Sequence, residues 1–215
     1  MERLFPLFLK LKGRKCLVVG AGAIGQSKIA SLLDAGAGVQ VVAPSATAKI
    51  QEWARKGQIR WRKREFRDAD LANCFLVVAA TSSSKLHKKI FRLAKRRGVL
   101  CNVVDVPKLC DFYYPAVVRR GSLQVAVSTG GKSPALAQRL RKELEAQFGP
   151  EYGDWVAELG KVRKRIRNGS TQATDQKTQL HELASKESFR KFQKRRKPAS
   201  GWYSPSANDS GERIW

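Results

Sequence analysis

The sequence has few residues that bind metals or form cross-links. Its 215 residues include four cysteines and two histidines. The cysteines occur singly, without the close pairs typical of zinc sites, and neither histidine lies beside them. These spacings argue against a dedicated metal centre. We expect Cys16 and Cys101, which begin apolar runs, to be buried thiols.

Long apolar segments are also missing. No stretch approaches the roughly 18 consecutive apolar residues of a membrane-spanning helix. The N-terminus lacks the basic region and apolar core of a signal peptide. We therefore expect a soluble, cytoplasmic protein that makes no contact with membranes.

Acidic residues are scarce as well. The chain has 18 Asp and Glu against 42 Lys and Arg, which gives a formal net charge of +24. Such a charge attracts polyanions, and nucleic acid is the usual first candidate. The excess is spread over both residues 1–160 and residues 161–215, however, and this spread suits a small polyanionic substrate equally well.

Short apolar strands alternate with amphipathic helices in the first half of the chain. The predicted strands are 15–20, 39–43, 59–63, 75–80 and 99–104, and the predicted helices are 24–35, 50–56 and 84–97. This order predicts a Rossmann-type α/β domain with a doubly wound parallel sheet over residues 1–112. Strand 59–63 alternates with charges, so we place it near a sheet edge.

A glycine motif, Gly20-Ala-Gly-Ala-Ile-Gly25, ends the first strand and opens the first helix. Its glycines allow a tight turn, close approach of the backbone to a pyrophosphate, and close packing of helix on strand. The helix N-terminus adds free N–H groups. Ligands on such sheets bind at the carboxyl ends of the strands, so we predict NAD contacts with Gly20, Gly22, Ala23, Ile24, Gly25, Pro44, Ser45, Thr81 and Val104.

The second strand lacks the acidic residue that usually binds the adenosine ribose. It ends in Val-Ala43-Pro44-Ser45, with no arginine either, so NADP stays open as an alternative to NAD. Ser45 can donate a hydrogen bond there, or it can be a turn residue after the proline.

The pattern changes after Asp105. Residues 112–118 and 123–128 predict a hairpin, 129–134 a glycine-rich loop ending at a Ser133 cap, and 135–148 a helix. Residues up to 192 are helical and basic, and 193–215 lack periodicity, as is typical of a disordered tail. We predict a small α+β dimerisation and substrate-binding region with a helical C-terminal part over 113–192, then the tail.

Together with the glycine motif, the segments Asn102-Val-Val-Asp105 and Ser128-Thr-Gly-Gly-Lys-Ser133 resemble the precorrin-2 dehydrogenase and sirohydrochlorin ferrochelatase family. That family also forms the N-terminal half of siroheme synthase. The resemblance implies NAD-dependent oxidation of precorrin-2 to sirohydrochlorin in siroheme biosynthesis. It further implies a homodimer joined through the hairpin, and Asp105 as the catalytic residue. A carboxylate at a strand end can act as a base, although Asp105 can also simply begin a turn.

The resemblance also implies a substrate-facing loop made of Ser128, Thr129, Gly130, Gly131, Lys132 and Ser133. Its N–H groups, hydroxyls and lysine suit the carboxylates of precorrin-2, an anionic tetrapyrrole. The same loop could serve only as a helix cap. Some relatives insert ferrous iron with the same aspartate, so a bifunctional enzyme, with Asp105 facing the metal, is an alternative.

Two departures from the family concern the expected nicotinamide site. Three serines, 82–84, stand where relatives often have acidic residues, and His87 stands where they often have asparagine. We expect His87 to lie on the helix surface rather than to bind a metal. A remote alternative is a Rossmann-type sensor or nucleic-acid-binding module. The basic segments lack the interleaved aromatic residues and recognition motifs of such modules, so we do not expect nucleic acid as a partner.

Overall fold

The computed structural model of the protein describes residues 3–169 and 173–195. They form two compact units, which divide between Tyr113 and Tyr114. Within the described residues, no helix is long and apolar enough to cross a membrane.

The first unit is a five-stranded parallel sheet with helices. Its strands are β1 (Lys15–Val19), β2 (Gly38–Val42), β3 (Ile59–Arg62), β4 (Leu76–Ala79) and β5 (Leu100–Val103), in the spatial order β3-β2-β1-β4-β5. Its helices are α1 (Ala23–Asp34), α2 (Ala48–Arg55) and α3 (Ser84–Arg96). The predicted alternation and the parallel, doubly wound sheet are therefore confirmed. Strand β3 lies at an edge, as its charged residues indicated.

The core of this unit is formed by the central strands, because apolar side chains on both of their faces are covered. Leu17, Val18, Val77 and Val78 are fully buried. The predicted burial of two thiols is confirmed: burial raises the pKa of Cys16 to about 11 and, with the nearby Asp111 charge, that of Cys101 to about 12. Neither thiol is a nucleophile at neutral pH.

A buried carboxylate lies beside the edge strand β3 and binds two arginines there. The Asp70 side chain is fully buried and accepts hydrogen bonds from Arg62 (3.2 Å), from Arg64 (2.6 and 2.8 Å) and from the Arg67 N–H (2.8 Å). Burial raises the pKa of Asp70, but the hydrogen bonds and the two guanidinium charges outweigh it, so the pKa is lowered. The cluster fixes the 3₁₀ turn Asp68–Leu71 against the end of β3.

The second unit is a two-stranded antiparallel hairpin packed with helices. The hairpin consists of β6 (Ala116–Arg120) and β7 (Leu123–Val127), and the helices are α4 (Pro134–Gln147), α5 (Glu151–Asn168), α6 (Ala173–Leu183) and α7 (Lys186–Arg195). Strand β6 begins at Ala116 rather than at 112, because Pro115 has no N–H to donate to a ladder. Arg120 ties the hairpin to α4 by donating to the carbonyl oxygens of Glu145 and Phe148.

The C-terminal boundary of the helical region was predicted too early. Helix α7 continues to Arg195, beyond the predicted start of the tail at 193, because Phe192 is buried and the last turn carries Lys194 and Arg195, which favour a helix C-terminus. The rest of the predicted disordered tail, 196–215, lies outside the described residues.

Candidate cofactor-binding and active site

The turn between β1 and α1 has room for a ligand at one of its glycines and none at the other two. Gly20 has φ +102°, and a Cβ there would overlap the carbonyl oxygen of Ala80. A Cβ at Gly25 would overlap the carbonyl oxygen of Gly20. At Gly22 a Cβ would meet no protein atom within 4 Å. Two glycines therefore serve the packing of the turn, while Gly22 borders open space.

This open space lies at the N-terminus of α1. Gly22 is the N-cap, and no side chain caps the helix. Ala23 and Ile24 are exposed in the first turn. Uncapped N–H groups and the positive end of a helix dipole favour an anion such as a pyrophosphate.

The loop after β2 is tied to α1 by contacts that sequence reasoning missed. Thr47 donates a hydrogen bond from its hydroxyl to Gln26 at 2.6 Å, and its N–H bonds to the carbonyl oxygen of Ala21 at 3.1 Å. Pro44 and Ser45 are exposed at the end of β2, with no carboxylate beside them in the chain. The spacing between Gln26 and Thr47 gives no signal of this contact, because it depends on how the two loops fold together.

Thr81 follows β4 and has an unusual hydroxyl. Its Oγ1 is buried and has no hydrogen-bond partner among the described residues. A buried unpaired hydroxyl is costly, so a bound ligand that supplies a partner would relieve it. The carbonyl oxygen of the same residue accepts a hydrogen bond from His87 Nε2 at 2.8 Å.

The prediction that His87 lies on the surface of α3 is wrong. Its side chain is 8% exposed, because the ring turns back from the first turn of the helix to bond the Thr81 carbonyl. A carbonyl oxygen can only accept, so Nε2 carries a proton. His87 thus fixes the backbone at Thr81.

The turn after β5 presents Asp105. The Val106 N–H bonds to the Val103 carbonyl oxygen at 3.2 Å, and Asp105 has a left-handed backbone with φ +61°. Aspartate is one of the few residues that adopt this conformation readily. The side chain of Asp105 is exposed and that of Val104 is half-buried.

Two part-buried hydrogen bonds hold this turn in place. Asn102 donates to the Phe112 carbonyl oxygen at 2.8 Å, and the Cys110 thiol donates to the Val103 carbonyl oxygen at 3.1 Å. Burial raises the pKa of the Cys110 thiol. Asn102 is therefore structural, and Cys110 supports the turn as a neutral thiol.

One charged residue near this edge was not predicted. Lys28 is only 9% exposed, on the side of α1 that faces the sheet. Burial lowers its pKa, and the negative charge of Asp105 opposes that lowering. The signal in the sequence was a lysine at the helical spacing of Gly25, Ile29 and Leu32.

The predicted substrate loop belongs to the second unit and is organised by its own hydroxyls. Ser128 accepts from the Gly130 N–H, Thr129 from the Ser133 N–H, and Ser133 from the Leu136 N–H, at 3.0–3.3 Å. Gly130 and Gly131 have positive φ. Lys132 is exposed and takes part in no ion pair of the described residues. The loop thus caps α4 through Ser133 and presents the exposed side chain of Lys132.

The first unit brings together the ends of four strands, at Gly20, Pro44, Thr81 and Val104–Asp105, as the sheet prediction required. Across residues 3–169 and 173–195, no three His, Cys, Asp or Glu side chains are grouped as a metal site. The turn, the uncapped helix and the unpaired Thr81 hydroxyl all fit a dinucleotide.

Comparisons with known proteins agree with this geometry. A family described as putative NAD(P)-binding matches residues 7–116, just over half of the chain, and one described as sirohaem biosynthesis protein central matches residues 120–147. Siroheme synthase of Nitrosococcus oceani is 43% identical over 166 residues, covering 77% of this chain and 36% of that protein. Siroheme synthase of Methylococcus capsulatus is 43% identical over 162 residues, covering 75% and 34%. The chain thus spans about a third of the length of these relatives.

A solved structure is similar over nearly its whole length. It is SirC, a precorrin-2 dehydrogenase, which matches with a TM-score of 0.69 and 29% identity over 89% of this chain and 98% of that one. The chain belongs to the NAD(P)-binding family that includes the N-terminal region of siroheme synthases and this precorrin-2 dehydrogenase.

Proposed function

We propose that the protein is an NAD-dependent dehydrogenase that oxidises precorrin-2 to sirohydrochlorin in siroheme biosynthesis. The observation that carries the proposal is the set of strand ends around the open Gly22 turn, in a chain similar to SirC over 98% of that protein's length. The reaction converts precorrin-2 and NAD⁺ into sirohydrochlorin, NADH and one H⁺.

The residues of the first unit suit the binding of the cofactor. The N–H groups at the start of α1 would hold the pyrophosphate, with the backbone of Gly22 against it. The Thr81 hydroxyl, which has no partner among the described residues, would gain one from the cofactor. Bound NAD supplies the hydride acceptor, which no side chain of the protein can replace.

Asp105 is proposed as the base. Oxidation of the macrocycle removes a hydride and a proton, and the exposed carboxylate at the end of β5 can accept the proton. The left-handed turn presents this side chain at the edge where the cofactor is proposed to bind.

The loop Ser128–Ser133 is proposed to hold carboxylates of the substrate. Lys132 has no ion-pair partner among the described residues, and the net charge of +24 attracts a polyanion. We propose that these charges concentrate an anionic tetrapyrrole at the protein.

NAD rather than NADP is the proposed cofactor. Strand β3 pairs with β2, and the two arginines at and just after its end, Arg62 and Arg64, form ion pairs with Asp70. An arginine engaged in this way is a poor ligand for a 2′-phosphate. Titration with both cofactors tests this, and tighter binding of NADP would contradict it.

A homodimer formed through the hairpin is proposed as the working assembly. A two-stranded sheet is only marginally stable, and its strands keep half-exposed apolar residues such as Val117, Val125 and Val127 after the helices have packed. Light scattering of the full chain, beside Val117→Asp, tests the interface. A monomeric wild type would contradict it.

The cytoplasmic location stays a prediction.

The test of the proposed function is anaerobic incubation of enzymatically generated precorrin-2 with NAD, followed by absorbance of sirohydrochlorin. Asp105→Asn is the informative variant, because asparagine also adopts a left-handed backbone and should preserve the turn. We expect kcat/KM to fall by about 10²–10⁴-fold, with NAD binding retained. Asp34→Asn, at the exposed end of α1, is the matched control.

Each outcome of this assay is informative. No turnover by wild type with either cofactor would contradict the dehydrogenase proposal. Turnover that survives Asp105→Asn would remove that residue from the mechanism. Ferrous iron added in a second phase tests the chelatase alternative, which predicts a metal-dependent spectral change beyond a protein-free blank.

A further inference from the structure

A ring of hydrogen bonds joins the glycine turn to the loop after β2. The Thr47 N–H donates to the Ala21 carbonyl oxygen at 3.1 Å, and the Thr47 hydroxyl donates to Gln26 Oε1 at 2.6 Å. The Gln26 N–H closes the ring by donating to the Gly22 carbonyl oxygen at 2.9 Å. Since Gly22 borders the open space at the start of α1, the ring ties loop 43–47 to the turn proposed to bind the pyrophosphate.

Capping of α2 does not account for these contacts. Thr47 is the N-cap residue of α2, and its hydroxyl oxygen accepts from the Ile50 N–H at 3.4 Å. A cap needs only that acceptor. The hydroxyl proton and the N–H of Thr47 are both donated to the glycine turn and the first turn of α1. There Gln26 is half-buried, although glutamine side chains are mostly exposed.

The rest of the loop is held by other elements. Trp61 on β3 donates from Nε1 to the Ala43 carbonyl oxygen at 3.0 Å. Gln51 on α2 donates from Nε2 to the Ala46 carbonyl oxygen at 2.9 Å. Between these two carbonyl groups lies Ser45, which is exposed. The loop therefore presents Ser45 on a backbone that contacts from three elements fix in place.

We propose that Gln26 and Thr47 are positioning residues for the adenosine end of NAD, because their hydrogen bond keeps loop 43–47 against α1 before the cofactor binds. The inference rests on the proposed function. In Rossmann-type domains the adenosine ribose lies at the end of the second strand, where a carboxylate usually binds it. This chain has Ala43-Pro44-Ser45 there instead. Without the carboxylate, affinity depends more on a loop that is already ordered, since ordering a loop on binding costs affinity.

The experiment compares Gln26→Met, Thr47→Val and Thr47→Ser with wild type. Methionine keeps most of the length of glutamine without the oxygen acceptor, valine keeps the shape of threonine without the hydroxyl, and serine keeps the hydroxyl. Gln138→Met, at an exposed glutamine on α4, is the matched control. The readouts are calorimetric titrations with NAD, ADP-ribose and nicotinamide mononucleotide. Hydrogen exchange and urea unfolding are measured on the cofactor-free protein.

We expect Gln26→Met and Thr47→Val to weaken NAD binding by about 2- to 10-fold, the range that corresponds to one net hydrogen bond. ADP-ribose, which has the adenosine and pyrophosphate of NAD but no nicotinamide, should weaken by the same factor. Nicotinamide mononucleotide should bind as it does to wild type. Thr47→Ser and Gln138→Met should both stay near wild type. The double variant Gln26→Met/Thr47→Val should bind NAD no more weakly than the weaker single variant, because both substitutions remove the same bond.

A second measurement needs no cofactor. Because the Thr47 N–H donates to the Ala21 carbonyl oxygen, its exchange with solvent reports how often the loop leaves the turn. In Gln26→Met this amide should exchange faster by about 2- to 10-fold. The amides of β1, the central strand, should keep their wild-type rates. Urea unfolding checks that each variant is folded.

Three results would overturn the proposal. Wild-type affinity for NAD and ADP-ribose in Gln26→Met would leave the bond a purely structural contact. Equal weakening of nicotinamide mononucleotide would place the effect at the pyrophosphate turn rather than at the adenosine end. Affinity losses that multiply in the double variant would mean that the two residues act separately. Failure of wild type to bind any of the three nucleotides would refute the proposed cofactor site, while exchange of the Thr47 amide would still decide whether Gln26 holds the loop.

Discussion

Replacing Gly22 by alanine should separate cofactor binding from folding. The backbone at Gly22, with φ −79° and ψ −170°, is allowed for alanine, and the added Cβ meets no protein atom within 4 Å. Gly20→Ala is the variant to compare it with. There φ is +102°, and the Cβ would overlap the Ala80 carbonyl oxygen.

The structure predicts different changes in the free energy of unfolding for the two variants. For Gly20→Ala, the backbone conformation costs about 1–2 kcal/mol and the overlap about 1–3 kcal/mol. The free energy of unfolding should therefore fall by about 2–5 kcal/mol. For Gly22→Ala, a slightly poorer cap and a less flexible unfolded chain offset each other, so stability should stay within about 0.5 kcal/mol of wild type.

NAD affinity, by contrast, should be weakened by Gly22→Ala, the variant whose stability stays close to that of wild type. A methyl group at Gly22 occupies the space proposed for the pyrophosphate, and overpacking of one methyl costs about 1–3 kcal/mol. This corresponds to about 5- to 150-fold weaker NAD binding. Urea unfolding and calorimetric titration with NAD measure the two effects. Wild-type affinity in Gly22→Ala, or a loss of stability equal to that of Gly20→Ala, would refute the assignment of this turn.

Two further predictions concern buried polar groups. Thr81→Val removes a hydroxyl that has no partner among the described residues. The cofactor-free protein should therefore keep its stability or gain up to about 1 kcal/mol, while NAD binding weakens by a few-fold. Unchanged NAD binding would remove Thr81 from the site. Asp70→Asn should lower the free energy of unfolding by about 2 kcal/mol at pH 7. Because the pKa of Asp70 is lowered in the folded protein, its contribution is present above the unfolded pKa of about 3.9 and is lost as pH falls through the folded value. Unfolding curves at pH 7 and at low pH should therefore differ between wild type and variant only at the higher pH, and an equal difference at both would contradict the ionic explanation.

Local patterns were sufficient to predict most of the fold. The alternation of apolar runs with helical stripes gave the parallel sheet, and the charged residues of β3 gave its place at an edge. The motif from Gly20 to Gly25 correctly predicted the turn between β1 and α1, because its spacing is a local property of one strand, one turn and one helix. The boundaries of β6 and α7 were less accurate, since Pro115 and the buried Phe192 decided them.

The remaining features of the site required the tertiary structure. Burial of Lys28 against the sheet, for example, depends on how α1 packs on strands that are distant along the chain. His87 was expected on the surface because helical periodicity does not reveal a ring that turns back to a preceding carbonyl. Sequence thus determined which residues line the strand ends, through periodicities of about 2 and 3.6 residues. The three-dimensional packing decided which of them are buried, paired or left with an unsatisfied hydroxyl, because those properties depend on neighbours that are distant along the chain.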